Sequence, residues 1–248
     1  MSRYWRLWLC LMVFFCLPAQ AQFSAGIGFS ASQSPYQGVS SNPNTIPAYV
    51  NYQGQRLYLR GTELGFALWQ QGDRQQAFSL NVIASGRLAG YHASDSAFLT
   101  GMATRRWSLD GGLALSGRHQ QHLFSIKAVH DLLDHHQGYE ISGYYGHLLR
   151  LHPRWTLTPG VQLSWQNDDL VDYYFGVRSE EARDGRAAYQ AAGGLEPQVS
   201  LMSLWQISER QQLIAIARVR YLASEVRQSP LVDRRHTSGV FLGYILSF

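Results

Sequence analysis

Residues 155–165 read WTLTPGVQLSW. Trp155, Leu157, Pro159, Val161, Leu163 and Trp165 share one parity, and Thr156, Thr158, Gly160, Gln162 and Ser164 the other. Successive side chains of a strand point to opposite faces. This segment therefore predicts a strand with one wholly apolar face, tryptophan at both ends, and one small or polar face. A soluble sandwich or lipocalin-like barrel also alternates, but its apolar face turns inward, and tryptophan has no reason to recur at its strand ends. An apolar face bounded by aromatics, opposite a wet or hydrogen-bonded face, suits a strand that crosses a bilayer.

The pattern repeats along the chain. Trp107, Leu109, Leu113 and Leu115 oppose Ser108, Asp110, Gly112 and Ala114; Phe78, Leu80, Val82 and Ala84 oppose Ser79, Asn81 and Ser85. Leu213, Ala215, Ala217, Val219 and Tyr221 oppose Arg218 and Arg220. An arginine on a lipid face near the midplane costs about 2–4 kcal/mol, so Arg218 and Arg220 are expected inside, with Asp110 as a further lumen charge. Twelve strands are predicted, at 23–31, 44–52, 55–61, 63–70, 75–88, 104–115, 120–130, 139–150, 154–166, 197–207, 211–223 and 237–248, or ten if 55–70 is read otherwise. Short turns at 70–74, 116–121, 151–154 and 208–211 alternate with longer connections near 32–43, 89–103, 131–138, 167–195 and 224–236. The expectation is an all-β transmembrane antiparallel barrel with short periplasmic turns and long external loops.

The first 21 residues read as a cleavable signal peptide. Arg3 and Arg6 precede an apolar run from Leu7 to Leu17, Pro18 breaks it, and Ala19 and Ala21 supply the small residues that a signal peptidase reads. The apolar run is short of the ~20 residues of a spanning helix. Phe14 and Phe15 before Cys16 do not make a lipobox. Both cysteines, Cys10 and Cys16, fall in this segment, which leaves residues 22–248 without a thiol nucleophile or disulfide framework.

Removing Arg3 and Arg6 from 21 basic side chains leaves 19 against 17 acidic ones. With so little surplus charge, and Lys127 the sole lysine, a nucleic-acid partner is not expected. Aromatic residues at 13% with only 15% charged residues suit a sheet that meets lipid on one face. No stretch after residue 21 approaches a spanning helix.

The last strand places Val240, Leu242, Tyr244, Leu246 and Phe248 on one face and ends on the terminal aromatic. Tyr244, Leu246 and Phe248 resemble the signal by which the barrel-assembly machinery selects its clients. The long loop carries Asp168-Asp169, then Asp172-Tyr173-Tyr174-Phe175-Gly176-Val177, Ser179-Glu180-Glu181-Ala182, Gly185, Ala187-Ala188-Tyr189 and Ala191 to Leu195. With Gly26-Ile27-Gly28, Ser34 to Gly38, Ser229 to Val232 and the closing Gly243-Tyr244, these segments resemble the MipA/OmpV family of outer-membrane proteins. The Tyr173, Tyr174, Phe175, Gly176, Val177 motif with Tyr189 is the most specific part. The run His130 to Gln137 departs from the family, whose members carry more glycine there.

The resemblance implies a structural role, a scaffold that brings a membrane-bound lytic transglycosylase together with a bifunctional murein synthase, beside contact with outer-membrane lipid. The rival readings are a small-solute channel and, third, a barrel enzyme. No motif sets a nucleophile beside a base, although Ser142 lies near His147. His130, Asp131, Asp134, His135 and His136 are the densest metal-ligand types, but their spacing is irregular and no metal or other cofactor is expected. Asp168, Asp169 and Asp172 read as a solvent-facing loop whose tyrosines pack on the barrel mouth. Gly111, Gly143 and Gly146 are expected where the sheet bends or a neighbour approaches.

Overall fold

The computed structural model describes residues 22–39, 44–73 and 75–248; the segment read as a signal peptide, with Ala19 and Ala21, lies outside them. Thirteen strands form one antiparallel sheet: β1 (Gln22–Ser32), β2 (Asn44–Gln53), β3 (Leu57–Arg60), β4 (Glu63–Gly72), β5 (Gln76–Arg87), β6 (Ser108–His119), β7 (His122–Asp131), β8 (Tyr139–His147), β9 (Leu149–His152), β10 (Trp155–Gln166), β11 (Gly194–Gln206), β12 (Gln211–Tyr221) and β13 (His236–Ser247). β8 and β9 are one crossing interrupted at Leu148, so the chain crosses twelve times. β1 pairs with β13 from Ser24↔Ser247 to Ser32↔Gly239, and the sheet closes on itself. Closure satisfies every ladder and leaves no edge, the condition for a sheet in lipid.

The alternation decides which face meets lipid. Val161, Leu163, Trp155 and Trp165 are exposed while Thr158, Ser164 and Gln166 are buried. Leu113 and Leu115 point out, with Ser108, Asp110 and Ala114 in; Val82 is out and Asn81 in. Trp155 pairs across the ladder with Trp205 at the lower rim, while Trp165 packs on Tyr139 (5.4 Å between ring centroids) at the upper one. Two aromatic girdles result.

The short strand β3 turns back at Gly61–Thr62, so one upper connection is tight; Gly61 adopts φ 60°, where glycine is favoured. The predicted strand 104–115 lies four residues early: Arg105 stays in the external connection, and Ser116 to His119 continue β6 to a turn at Gln120–Gln121. The ladder with β7 holds Ser116 to His119 extended, and their polar composition reflects the lower rim rather than a turn.

Inside the barrel, aromatic rings lie over glycines. Tyr144 covers Gly146 and Gly160, Tyr58 covers Gly65, and Phe241 covers Gly28 and Gly243. Leu132 closes over Gly111, but Gly143 has open space around its Cα, contrary to the expectation of a close neighbour there. Gly143 shares the outward parity of Ile141 and Tyr145, where no neighbouring strand leans in.

Candidate functional site

Polar chemistry is gathered in two places, the lumen and a cap built over it by the external connections. In the lumen, Arg87 bridges two strands: its Nε lies 2.6 Å from Asp110 Oδ2 and its Nη2 3.1 Å from Glu140 Oε2. Gln166 donates to the same Glu140 oxygen (3.1 Å), and Ser108 donates to Asp110 Oδ1 (2.7 Å). Lys127 pairs with Glu63, which also accepts from the Tyr58 hydroxyl (3.1 Å). Arg220 Nη1 stands 3.5 Å from Glu196 Oε2. Buried charges persist when paired and hydrogen-bonded, and this network fills one wall of the barrel. Of the charges expected inside, Asp110 and Arg220 have partners, whereas Arg218 has no carboxylate within ion-pair distance among the described residues. Arg87, Glu140 and Glu196 were missed in the sequence, although each has the parity of the polar face.

The histidine-rich turn after β7 is a structural knot. Asp131 accepts from the backbone N–H of Leu133, His136 and Gln137, at 2.9, 2.7 and 3.1 Å. His136 Nδ1 accepts from Gly138 N–H (3.1 Å), so its Nε2 carries the proton toward Asp110 Oδ1, 3.0 Å away. Asp110, Asp131 and His136 thus bring three ligand-type atoms within 4.8 Å, but each already holds the turn to the wall. His130 and His135 face backbone carbonyls, of Asp131 and Trp107. Ser142 lines the lumen, whereas His147 packs at a tilt against His122, five residues or about 16 Å along the strand, so the two form no catalytic pair.

The cap has its own core. Tyr36, Tyr91, Leu99, Met102, Leu170, Val171, Tyr174, Phe175, Leu222, Val226 and Leu231 are buried together, drawn from four connections. At its centre is helix α1 (Asp168–Phe175), where the sequence suggested only a loop. Asn167 caps it, Asp168 and Asp169 sit in its first turn where the helix dipole favours them, and Leu170, Val171, Tyr174 and Phe175 give it a buried face. The period was hidden because the helix is two turns long and flanked by polar residues. Asp168 accepts from Gly193 N–H (2.6 Å), Asp169 from Asn167 (2.9 Å) and Asp172 from Ala191 N–H (2.7 Å). The acidic cluster is therefore engaged in folding the loop back on itself.

The motif residues build this cap. Tyr173 accepts from Arg106 N–H (2.9 Å), Tyr174 donates to Arg106 O (3.1 Å), and Phe175 stacks on Tyr36 at 5.5 Å. After Gly176, Val177 pairs by backbone with Tyr189, whose hydroxyl donates to Glu225 O (2.6 Å) at the short helix α2 (Ser224–Arg227). Arg105 and Glu181, 3% and 4% exposed, form a fork of 2.9 and 3.1 Å. Arg186 is buried without a carboxylate and donates instead to the carbonyls of Phe98, Thr100 and Glu181. Burial pushes the Tyr91 phenol up to about 12, and its hydroxyl finds no hydrogen-bond partner among the described residues. Removing an unsatisfied buried hydroxyl relieves its desolvation. Tyr91→Phe is accordingly expected to leave the cap as stable or about 1 kcal/mol more stable, read as equal or slower loop proteolysis; a clear loss of protection would contradict it.

A closed antiparallel barrel with an apolar outer face and two aromatic girdles, whose first strand begins and last strand ends at one rim, is an outer-membrane β-barrel. Within that class the chain belongs to the MipA family: the family profile described as MltA-interacting protein MipA matches residues 25–248. It is 30% identical over 240 residues to the outer membrane protein YiaT of Escherichia coli, covering 92% of this chain and 93% of that one. The MltA-interacting protein of Escherichia coli is 25% identical over 235 residues, covering 93% and 92%. The outer membrane protein OmpV of Vibrio cholerae is 27% identical over 162 residues, 65% and 63% of the two chains. Among solved structures, the outer membrane channel DcaP of Acinetobacter baumannii superposes with a TM-score of 0.44 at 9% identity, covering 94% of this chain and 99% of that one. The protein is thus an outer-membrane protein, as its relatives YiaT and OmpV are named.

Proposed function

We propose that this barrel serves as a scaffold, holding a murein lytic transglycosylase and a bifunctional murein synthase at the inner leaf of the outer membrane. The observation that carries this reading is the cap: a packed core of loop side chains, with Leu99, Val226 and Leu231 at 0% exposure, lies over the external mouth. Such a core favours a barrel whose role does not depend on free passage of solutes. The short turns and the rim where β1 begins and β13 ends remain for partners in the periplasm. The relative named MltA-interacting protein supports the choice of partner. Tyr244, Leu246 and Phe248 would serve biogenesis, as the strand that the assembly machinery reads. Affinity capture from envelope extract by the folded, detergent-solubilised protein tests the reading, with an unrelated barrel of similar size as control. Specific recovery of a lytic transglycosylase or murein synthase is expected, and recovery of neither would sink it.

A second reading, a small-solute channel, is favoured by the charged cavities that remain below the cap. It predicts conductance in planar bilayers that changes when Arg218 or Arg220 is replaced.

A further inference from the structure

Beneath the cap lies a chamber of about 640 Å³. Its ceiling is the underside of the loop core, with Tyr36, Tyr174 and Phe175. Arg87, Arg218 and Arg220 stand in its walls, and no carboxylate lines it among the described residues. The adjoining cavity differs: Glu63, Asp110 and Glu140 line it with Arg87 and Lys127. The lumen is therefore divided into a part lined by charges of both signs and a part lined by three arginines, two of them paired with carboxylates that stand behind its walls.

The three arginines are not equivalent. Arg87 is held by Asp110 and Glu140, and Arg220 leans on Glu196 at 3.5 Å with 39% of its side chain still exposed. Arg218 has no ion pair and no side-chain hydrogen bond among the described residues. It comes from the same strand face as Arg220, two residues away, so the two like charges stand side by side. Opposite Arg218 in the ladder is Gly239, where a Cβ would lie 3.4 Å from its Nε; a glycine there keeps the space beside the guanidinium open. Two neighbouring guanidinium groups in a partly enclosed, low-dielectric space attract an anion more strongly than they would in water. Guanidinium forks fit carboxylate and phosphate oxygens in pairs. Gln166, Gln198 and Thr237 offer uncharged hydrogen-bonding groups around them, and the aromatic ceiling suits the apolar face of a ring.

We propose that this chamber binds a small anionic solute, a carboxylate or phosphate group on a body of about sugar size, with Arg218 supplying the charge that holds it. The site is independent of the scaffold reading and survives if no murein enzyme is captured. Isothermal titration of the folded protein in an uncharged detergent tests it with three probes: glucuronate, glucose 1-phosphate and glucose. Binding of at least one charged sugar, and none of glucose, is expected; which of the two binds tells carboxylate from phosphate. Arg218→Gln should weaken that binding roughly 10-fold or more, the loss of one charge-assisted contact. Arg218→Lys, which keeps the charge, should retain most of it, and a heat-shifted electrophoretic band confirms that each variant is folded. No binding of either anion, equal binding of glucose, or undiminished binding by folded Arg218→Gln would each overturn the proposal.

Discussion

Glu181→Ala will release the loop cap while leaving the barrel closed. Glu181 accepts both nitrogens of Arg105 and, in addition, the backbone N–H of Ala103 (2.8 Å) and of Arg178 (3.0 Å). Alanine would leave a buried guanidinium with only the carbonyls of Ala103 and Tyr173, and two backbone donors with nothing. Breaking one side of a buried pair costs about 3–5 kcal/mol. None of these atoms belongs to the barrel ladders, so the loss should stay local. Limited proteolysis checks it: cleavage within 88–107 and 167–193 should accelerate on the order of 100-fold or more, if cleavage follows the open fraction. The heat-shifted band of the folded barrel should persist. Wild-type resistance in the variant would refute the account.

The same pair sets a pH dependence. Burial acts to raise the Glu181 carboxyl, but its bonds to Arg105 and to the Arg178 and Ala103 amides outweigh that and hold it below the usual range. Its folded value is thus lower than its unfolded value of about 4.3. The stabilisation is complete above that unfolded value and is lost as pH falls through the folded one. Cap protection, followed by hydrogen exchange, should drop in that acidic window for the natural protein. In Glu181→Gln it should be weaker at neutral pH and should lose this component of the dependence.

Gly26→Val will prevent the barrel from closing. Gly26 lies on β1 beside the bulge that separates it from Gly28, and opposite Ile245 on β13. A Cβ there would sit 2.2 Å from the carbonyl oxygen of Tyr244 and 3.1 Å from the Cα of Ile245. Both are backbone atoms of the strand that seals the cylinder. They cannot yield without opening the β1–β13 ladder. Overpacking costs typically about 1–3 kcal/mol, and more where backbone must move, so the ratio of folded to unfolded protein at a given urea concentration should fall at least roughly 10-fold. Gly143→Val is the control. No atom lies within 4 Å of its would-be Cβ, the position faces lipid, and a β-branched residue suits a strand. It should fold as well as the natural chain or gain about 0.5–1 kcal/mol. Equal folding of the two variants would show that the β1 approach does not limit closure.

Much of the barrel was legible because its two solvents are so different. Period-two alternation states, residue by residue, which side chains meet lipid, and Trp155, Trp165 and Trp107 mark where the lipid ends. Boundaries were less legible where both faces become polar, as at Ser116 to His119, since strand and turn then share a composition. The sequence also showed that Arg218 and Arg220 had to turn inward. It could not show that Arg220 would meet Glu196 and Arg218 would meet no carboxylate, because the partners come from strands far apart in the chain.

The cap lay beyond reach for a different reason. Its core joins Tyr36, Leu99, Tyr174 and Val226, each from a separate connection and each with only a few apolar neighbours in sequence. No single loop has enough apolar surface to predict its own burial; the core exists only once the closed barrel holds the loop ends in a ring. By itself, then, the sequence determined a membrane-spanning barrel of twelve crossings or ten, since that follows from local alternation and the thickness of a bilayer; separate strands β3 and β4 decide for twelve. The tertiary structure alone decided that the mouth is covered and that the cations beneath it are unequally paired, because both depend on contacts between residues that only closure brings together.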